Sequence, residues 1–186
     1  MLSGLSSSSD LSVDQLLEKF SSGSLRQKRS LIPAVEKAAD QFAAMGAAAL
    51  ASFDREGDDW AAGWILQTLY RHQPSALSPL LDASGGWFVT GSESDLDYSP
   101  LQQALLEERF EEADRLTSAF LRQLAGEQAE RRGYVYFSEV LSMRGLDLVT
   151  LDRLWIAYSQ GRFGFTVQAR LLATLNGRYD KLWPRI

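Results

Sequence analysis

The sequence predicts an all-α fold on three observations: apolar residues recur at three- and four-residue spacing, helix-capping signatures precede those runs, and glycines stand between them. Met1 to Asp10 is rich in serine and lacks both the basic start and the apolar stretch of a secretion signal, so residues 1–11 are expected to form a flexible tail. Ser12-x-x-Gln15 then opens a helix as a capping box, and Leu16, Leu17 and Phe20 give it an apolar stripe. Leu31, Ile32, Val35, Ala38, Ala39 and Phe42 share one face of a longer segment that Gly46 ends or bends. Ala47, Leu50 and Phe53 follow, then Trp60, Trp64, Leu66, Leu69 and Tyr70, with Gly57, Asp58 and Asp59 as the break and charged start between them. Residues 12–81 are therefore expected to form an N-terminal helical bundle, and no repeat period supports a solenoid.

After Leu81 the composition shifts to turn-forming residues, which places a linker at 82–96, although Trp87, Phe88 and Val89 suit packing against one domain better than solvent. Tyr98-Ser-Pro-Leu-Gln starts the second half, residues 97–186, with Ser99 as cap, Pro100 at the first helical position and Gln102 completing a box. Leu101, Leu105 and Leu106 lead to Phe110, Ala113, Leu116, Phe120 and Leu121, and the polar Glu107, Glu108 and Arg109 mark a bend between two helices. Gly126 and Gly133 bracket the next break. A short apolar helix near Phe137 to Met143, a helix over 148–158, and a last helix capped by Thr166 complete the pattern. Asp147 and Thr150 are expected to cap the 148–158 helix, with Asp152 as its first-turn carboxylate.

Composition narrows the function. A formal charge of −5 with 45% hydrophobic residues gives no basic surplus for nucleic-acid backbones. No apolar run approaches the roughly 20 residues of a membrane-spanning helix. The absence of cysteine removes disulfides, thiolate metal sites and cysteine nucleophiles. His72 is the single histidine and lies in the first half, so a Ser-His-Asp triad has no support and the second half offers haem iron no histidine. Gly161-x-x-Gly164 is similar to the clamp of some RNA-binding domains, but it follows a helical pattern with few basic neighbours.

The same turn carries a more specific signal. Asp147, Leu148, Thr150, Leu151, Asp152, Leu154, Trp155, Tyr158, Ser159, Gly161, Arg162, Phe163, Gly164, Phe165, Val167 and Gln168 closely resemble the signature of the Genomes-Uncoupled-Four family, porphyrin-binding activators of magnesium chelatase. Asp97, Tyr98, Leu101, Leu105, Leu106, Phe110, Ala113, Asp114 and Thr117 resemble the opening helices of that family. The resemblance implies a compact helical domain whose concave apolar face holds protoporphyrin IX and magnesium protoporphyrin IX. It further implies a non-catalytic regulator that acts on the porphyrin-binding large subunit of magnesium chelatase in chlorophyll biosynthesis. The expected setting is the cytoplasm of a cyanobacterium-like phototroph or the plastid stroma, with peripheral association to thylakoid or envelope membranes. Family members usually continue past Trp183-x-x-Ile186 with a loop and tail that add polar contacts to the porphyrin edge, whereas this chain stops at Ile186.

A porphyrin is a flat apolar disc with two carboxylates on one edge, so its site needs rings and aliphatic groups at the faces and donors at the rim. Val135, Phe137, Val140, Leu141 and Met143 are expected to form one wall, and Phe163, Phe165 and Trp183 another. Arg162 and Gln168 are the rim donors, with Arg144 and Arg170 as weaker ones. Phe163 and Phe165 alternate on a short turn, so one is expected to anchor it while the other faces a cavity; Trp155 and Leu151 share an inward face and suit the core. A hard cation such as magnesium can keep water as its axial ligand, so the lack of histidine does not exclude a magnesium porphyrin. The alternative function is a protein-interaction module of the same fold with weak or no porphyrin binding.

Overall fold

The computed structural model describes residues 11–55, 59–81 and 86–181; no strand occurs among them, and the fold is all-α. Residues 1–10, the break at Gly57 and Asp58, residues 82–85 of the expected linker, and Trp183 lie outside the described residues. The chain divides into two compact units, Met1–Trp87 and Phe88–Ile186.

In the first unit, Ser12 and Gln15 exchange the capping-box bonds that start α1 (Val13–Ser22). A second box, Ser24 with Gln27, which the apolar pattern alone does not reveal, starts α2 (Leu25–Lys37). The expected single segment from Leu31 to Phe42 is two helices: the backbone departs from helical geometry at Ala38 (φ −91°, ψ 10°) before α3 (Ala39–Met45). Leu31, Val35, Ala39 and Phe42 remain buried across the break, so apolar spacing does not register it. Gly46, at φ 56°, ends α3. The helix α4 (Trp60–His72) is buried continuously from Trp60 through Leu69, as befits the centre of a bundle. A short α5 (Ser78–Leu81) follows, and Trp87 is buried with its N–H donated to the Leu80 carbonyl. His72 is surface-exposed, its Nε2 3.0 Å from Glu36 Oε1.

The second unit carries α6 (Ser99–Leu106), α7 (Phe110–Ala125), α8 (Glu127–Arg132), α9 (Phe137–Val140), α10 (Gly145–Tyr158) and α11 (Phe165–Thr174). Tyr98, Leu101, Leu105, Ala113, Phe120, Leu151, Leu154 and Tyr158 form its core. The Tyr98 and Phe120 rings meet edge to face at 4.7 Å, and Phe88 and Tyr158 at 5.5 Å, geometries that add to plain area burial. Residues 91–98 are tied to α10 by polar bonds. The buried Asp147 carboxylate accepts from the hydroxyls of Ser92, Ser94 (2.9 Å) and Tyr98 (2.8 Å) and from the Glu93 N–H (3.2 Å). Thr150 donates to the Gly91 carbonyl at 2.7 Å.

Several local expectations change. Ser99 belongs to α6 rather than capping it, and the Asp97 carboxylate takes its N–H at 2.9 Å. Asp147 and Thr150 lie inside α10, which begins at Gly145, so neither caps it; both fasten the preceding segment instead. Thr166 does not cap α11 and Asp152 is no first-turn residue: Asp152, midway along α10, supplies the cap of α11.

Candidate functional site

The site is built on the rim between α8 and α10. Gly133 ends α8 at φ 87°, a left-handed conformation that glycine adopts without a side-chain clash, and the chain turns there. Glu139 then organises the next residues: it accepts the Tyr136 N–H at 2.7 Å and Arg132 Nη2 at 2.7 Å. The single turn of α9 has no buried residue, and Phe137 and Leu141 are 89% and 88% exposed. Apolar side chains are thus held out to solvent by a polar clasp rather than by packing.

Beneath this rim lies a cavity of about 550 Å³, within the roughly 300–1,000 Å³ of small-molecule sites. Leu121 of α7, Val135 to Phe137, Val140 and Met143 of the rim, Leu148, Val149 and Asp152 of α10, and Phe165 at the start of α11 line it. Asp152 is the single charged side chain among them. A second cavity of about 430 Å³ shares Leu121 and Phe165 with the first. Its floor is aromatic: the Trp155 ring lies 5.8 Å from Phe163 and 6.3 Å from Phe110, and its indole N–H donates to Thr117 Oγ1 at 2.9 Å. Glu111, Asp114, Ser118 and Gln168 form the polar border.

Asp152 fixes the wall that the two cavities share. Its carboxylate accepts the Thr166 N–H at 3.0 Å and the Thr166 hydroxyl, so a neighbouring helix provides the capping oxygen for α11. Gly164 passes directly beneath, at φ 131°; a Cβ there would stand 2.6 Å from Asp152 Oδ1 and 2.9 Å from Ile156 Cγ1. Only glycine allows the turn to approach α10 that closely. The turn's other side is held by Ser159, whose hydroxyl accepts the N–H groups of Arg162 and Phe163 at 3.1 and 2.9 Å.

Of the expected site residues, the structure gathers Val135, Phe137, Val140, Met143 and Phe165 around the first cavity. Phe163 and Gln168 border the second instead. Leu141 lines neither, being the neighbour of Val140 that points to solvent, and exposed Arg162 lines neither. Trp183 lies outside the described residues. Leu151 is fully buried, but Trp155 is half-buried and faces the second cavity. Leu121, Tyr136, Leu148 and Val149 join the first cavity without having been expected there as site residues. Val149, like Leu146, is an outward apolar residue of α10, 52% exposed, a position that binary patterning alone would mark as misplaced.

Three of the shifted groups, Asp147, Tyr98 and Tyr158, belong to the scaffold. Burial raises the Asp147 carboxyl, but the Ser92, Tyr98 and Ser94 hydroxyls and the Glu93 N–H outweigh it and hold the group below the usual carboxylate range. Tyr98 is pushed well above the usual phenol range by burial and then by its bond to Asp147. Tyr158 is raised by burial. None of these groups lines either cavity. Among the described residues there is no group of three or more His, Cys, Asp or Glu side chains able to hold a metal ion. Nor is any described helix long and apolar enough to cross a membrane.

Residues 91–186 match the GUN4-like family model. A Ycf53-like protein of Synechocystis sp. is 41% identical over 122 residues, which cover 66% of this chain and 48% of that protein. The chloroplastic tetrapyrrole-binding protein of Arabidopsis thaliana is 36% identical over 89 residues, 48% of this chain and 34% of that protein. The chain therefore spans less than half the length of these relatives. The solved structure of GUN4 from Chlamydomonas reinhardtii superposes with a TM-score of 0.50 at 38% identity, over 52% of this chain and 68% of that one.

Proposed function

Because the chain belongs to the GUN4-like family, we propose that it is a non-catalytic tetrapyrrole-binding regulator whose ligands are protoporphyrin IX and magnesium protoporphyrin IX. The observation that carries the reading is the 550 Å³ cavity inside the family-matched segment, walled by Val135, Phe137, Val140, Met143, Leu148 and Phe165. Such walls suit the faces of a flat apolar macrocycle, and the exposed Phe137 can close over it at little cost because no packing must be broken. The Arabidopsis relative, itself a tetrapyrrole-binding protein, supports the ligand class. Magnesium porphyrin would be held by the same apolar walls, with Val135, Phe137, Val140, Met143, Leu148 and Phe165 orienting the ring. Among the described residues Asp152 is the one charged group in the lining, and its carboxylate is engaged by Thr166.

In this reading the chain presents or withdraws porphyrin at the large subunit of magnesium chelatase, stimulating magnesium insertion in chlorophyll biosynthesis. The test is the initial rate of magnesium insertion by reconstituted chelatase with and without the chain. Stimulation that Phe165→Ala reduces supports the proposal. Stimulation by a chain that binds no porphyrin would favour a protein-interaction module, and no stimulation despite porphyrin binding would confine the function to ligand carriage.

A further inference from the structure

We propose that Arg132 is the carboxylate-recognising residue of the apolar cavity, so that a bound tetrapyrrole turns its anionic edge toward the Arg132 end of the site. The inference rests on the functional reading above and extends it to the orientation of the ligand.

Among the described residues the cavity lining contains no cation, and the one charged side chain there is the Asp152 carboxylate. A ligand with propionates must therefore find its donors at the border. The exposed Arg162, Arg144 and Arg170 line neither cavity. Arg132 is placed differently. Its guanidinium carbon lies 4.0 Å from the ring centroid of Tyr136, a lining residue, and 4.8 Å from that of Tyr134. The two rings meet edge to face at 5.3 Å and their hydroxyls lie 3.2 Å apart, so cation–π attraction holds the guanidinium in a fixed bed. A planar fork ordered in advance loses little freedom when it binds a carboxylate.

The fork is only partly used. Nη2 donates to Glu139 Oε2 at 2.7 Å and to the Tyr134 carbonyl at 2.9 Å. Nε is buried without an acceptor, and Nη1 has none among the described residues. Nη1 is the donor open to a ligand carboxylate. Glu139 is the competing anion: the Tyr136 N–H and then Arg132 keep it below the usual carboxylate range, hence ionised at neutral pH.

The opposite border has the reverse character. Glu111 and Asp114 are exposed, pair with no cation among the described residues, and border the second cavity beyond Leu121 and Phe165. A propionate placed there would meet two like charges, whereas the methyl and vinyl edge would meet Phe165 and Trp155. The charges at the two borders favour one orientation.

The test compares protoporphyrin IX with its dimethyl ester, which keeps the macrocycle and removes the charges, in equilibrium titrations under one detergent condition. The full chain should favour the diacid by about tenfold or more. Arg132→Met should reduce that preference to within about twofold while leaving ester affinity unchanged, a pattern that lost structure does not produce. Glu139→Gln keeps an oxygen for the Tyr136 N–H but removes the competing charge, and should tighten diacid binding about threefold without affecting the ester. Equal loss of both ligands in Arg132→Met would make the residue purely structural and overturn the proposal. So would a parent that does not distinguish the ligands. If Arg132→Met fails to fold, unchanged diacid affinity in Glu139→Gln overturns it alone. A parent that binds neither ligand removes the functional reading, and this inference with it.

Discussion

Replacing Phe165 by alanine tests ligand contact at the wall that the two cavities share. The ring lines both cavities and is 37% exposed, so most of it already packs within the domain and the remainder is what a ligand would cover. A phenylalanine side chain presents roughly 200 Å², which makes the uncovered part about 75 Å². At about 25 cal/mol per Å², covering it contributes about 1.9 kcal/mol, or about a 20-fold change in Kd. The assay is quenching of tryptophan fluorescence by protoporphyrin IX, with far-UV circular dichroism as the check on folding. A variant of unchanged helicity is expected to bind about 20-fold more weakly. A Kd within about twofold of the parent would refute the assignment of Phe165 to the ligand's contact surface.

Other consequences concern the supports of the site. Gly164→Ala forces a Cβ to within 2.6 Å of Asp152 Oδ1 at a left-handed φ; it should destabilise the second unit by about 1–3 kcal/mol, read as a lower urea midpoint, and weaken porphyrin binding with it. Asp147→Asn replaces an acceptor of Ser92, Ser94, Tyr98 and Glu93 with a group that brings its own donors; a loss of about 2–4 kcal/mol at neutral pH is expected from denaturant titration. Since the folded Asp147 carboxyl is depressed, its contribution is complete above the unfolded value and is lost as pH falls through the folded one. Below about pH 4 the parent should therefore lose stability steeply, and Asp147→Asn should flatten that slope; parallel pH profiles would exclude Asp147 as the source.

Much of this arrangement can be read from the chain because periodicity and capping report local geometry. Leu16, Leu17 and Phe20 announce α1, and the Glu107 to Arg109 interruption announces the joint between α6 and α7. Long-range polar bonds are not legible in that way. Asp147 and Asp152 have the composition of helix-start residues, yet their partners lie at 92–98 and at 166, separations that no spacing rule encodes. The site shows the same division. Val135, Phe137, Val140 and Met143 are a compact apolar run whose gathering follows from proximity in sequence. Leu121 and Val149 enter the cavity only because α7 and α10 flank the rim, and Leu141 leaves it because a helix of one turn cannot bury every face. Arg132 sits in the stretch between Gly126 and Gly133 that the sequence marks only as a break; the structure makes it the helix α8, and the stacked tyrosines set the residue apart.

The most direct test of ligand placement is an amide and indole NMR titration of the isotope-labelled chain with protoporphyrin IX. Saturating shifts confined to Val135 to Val149, Leu121 and the Phe163 to Gln168 turn, at one ligand per chain, are the expected result. Shifts centred on the helices of the first unit, or none at ligand concentrations that saturate fluorescence quenching, would contradict the placement of a tetrapyrrole beneath the α9 rim.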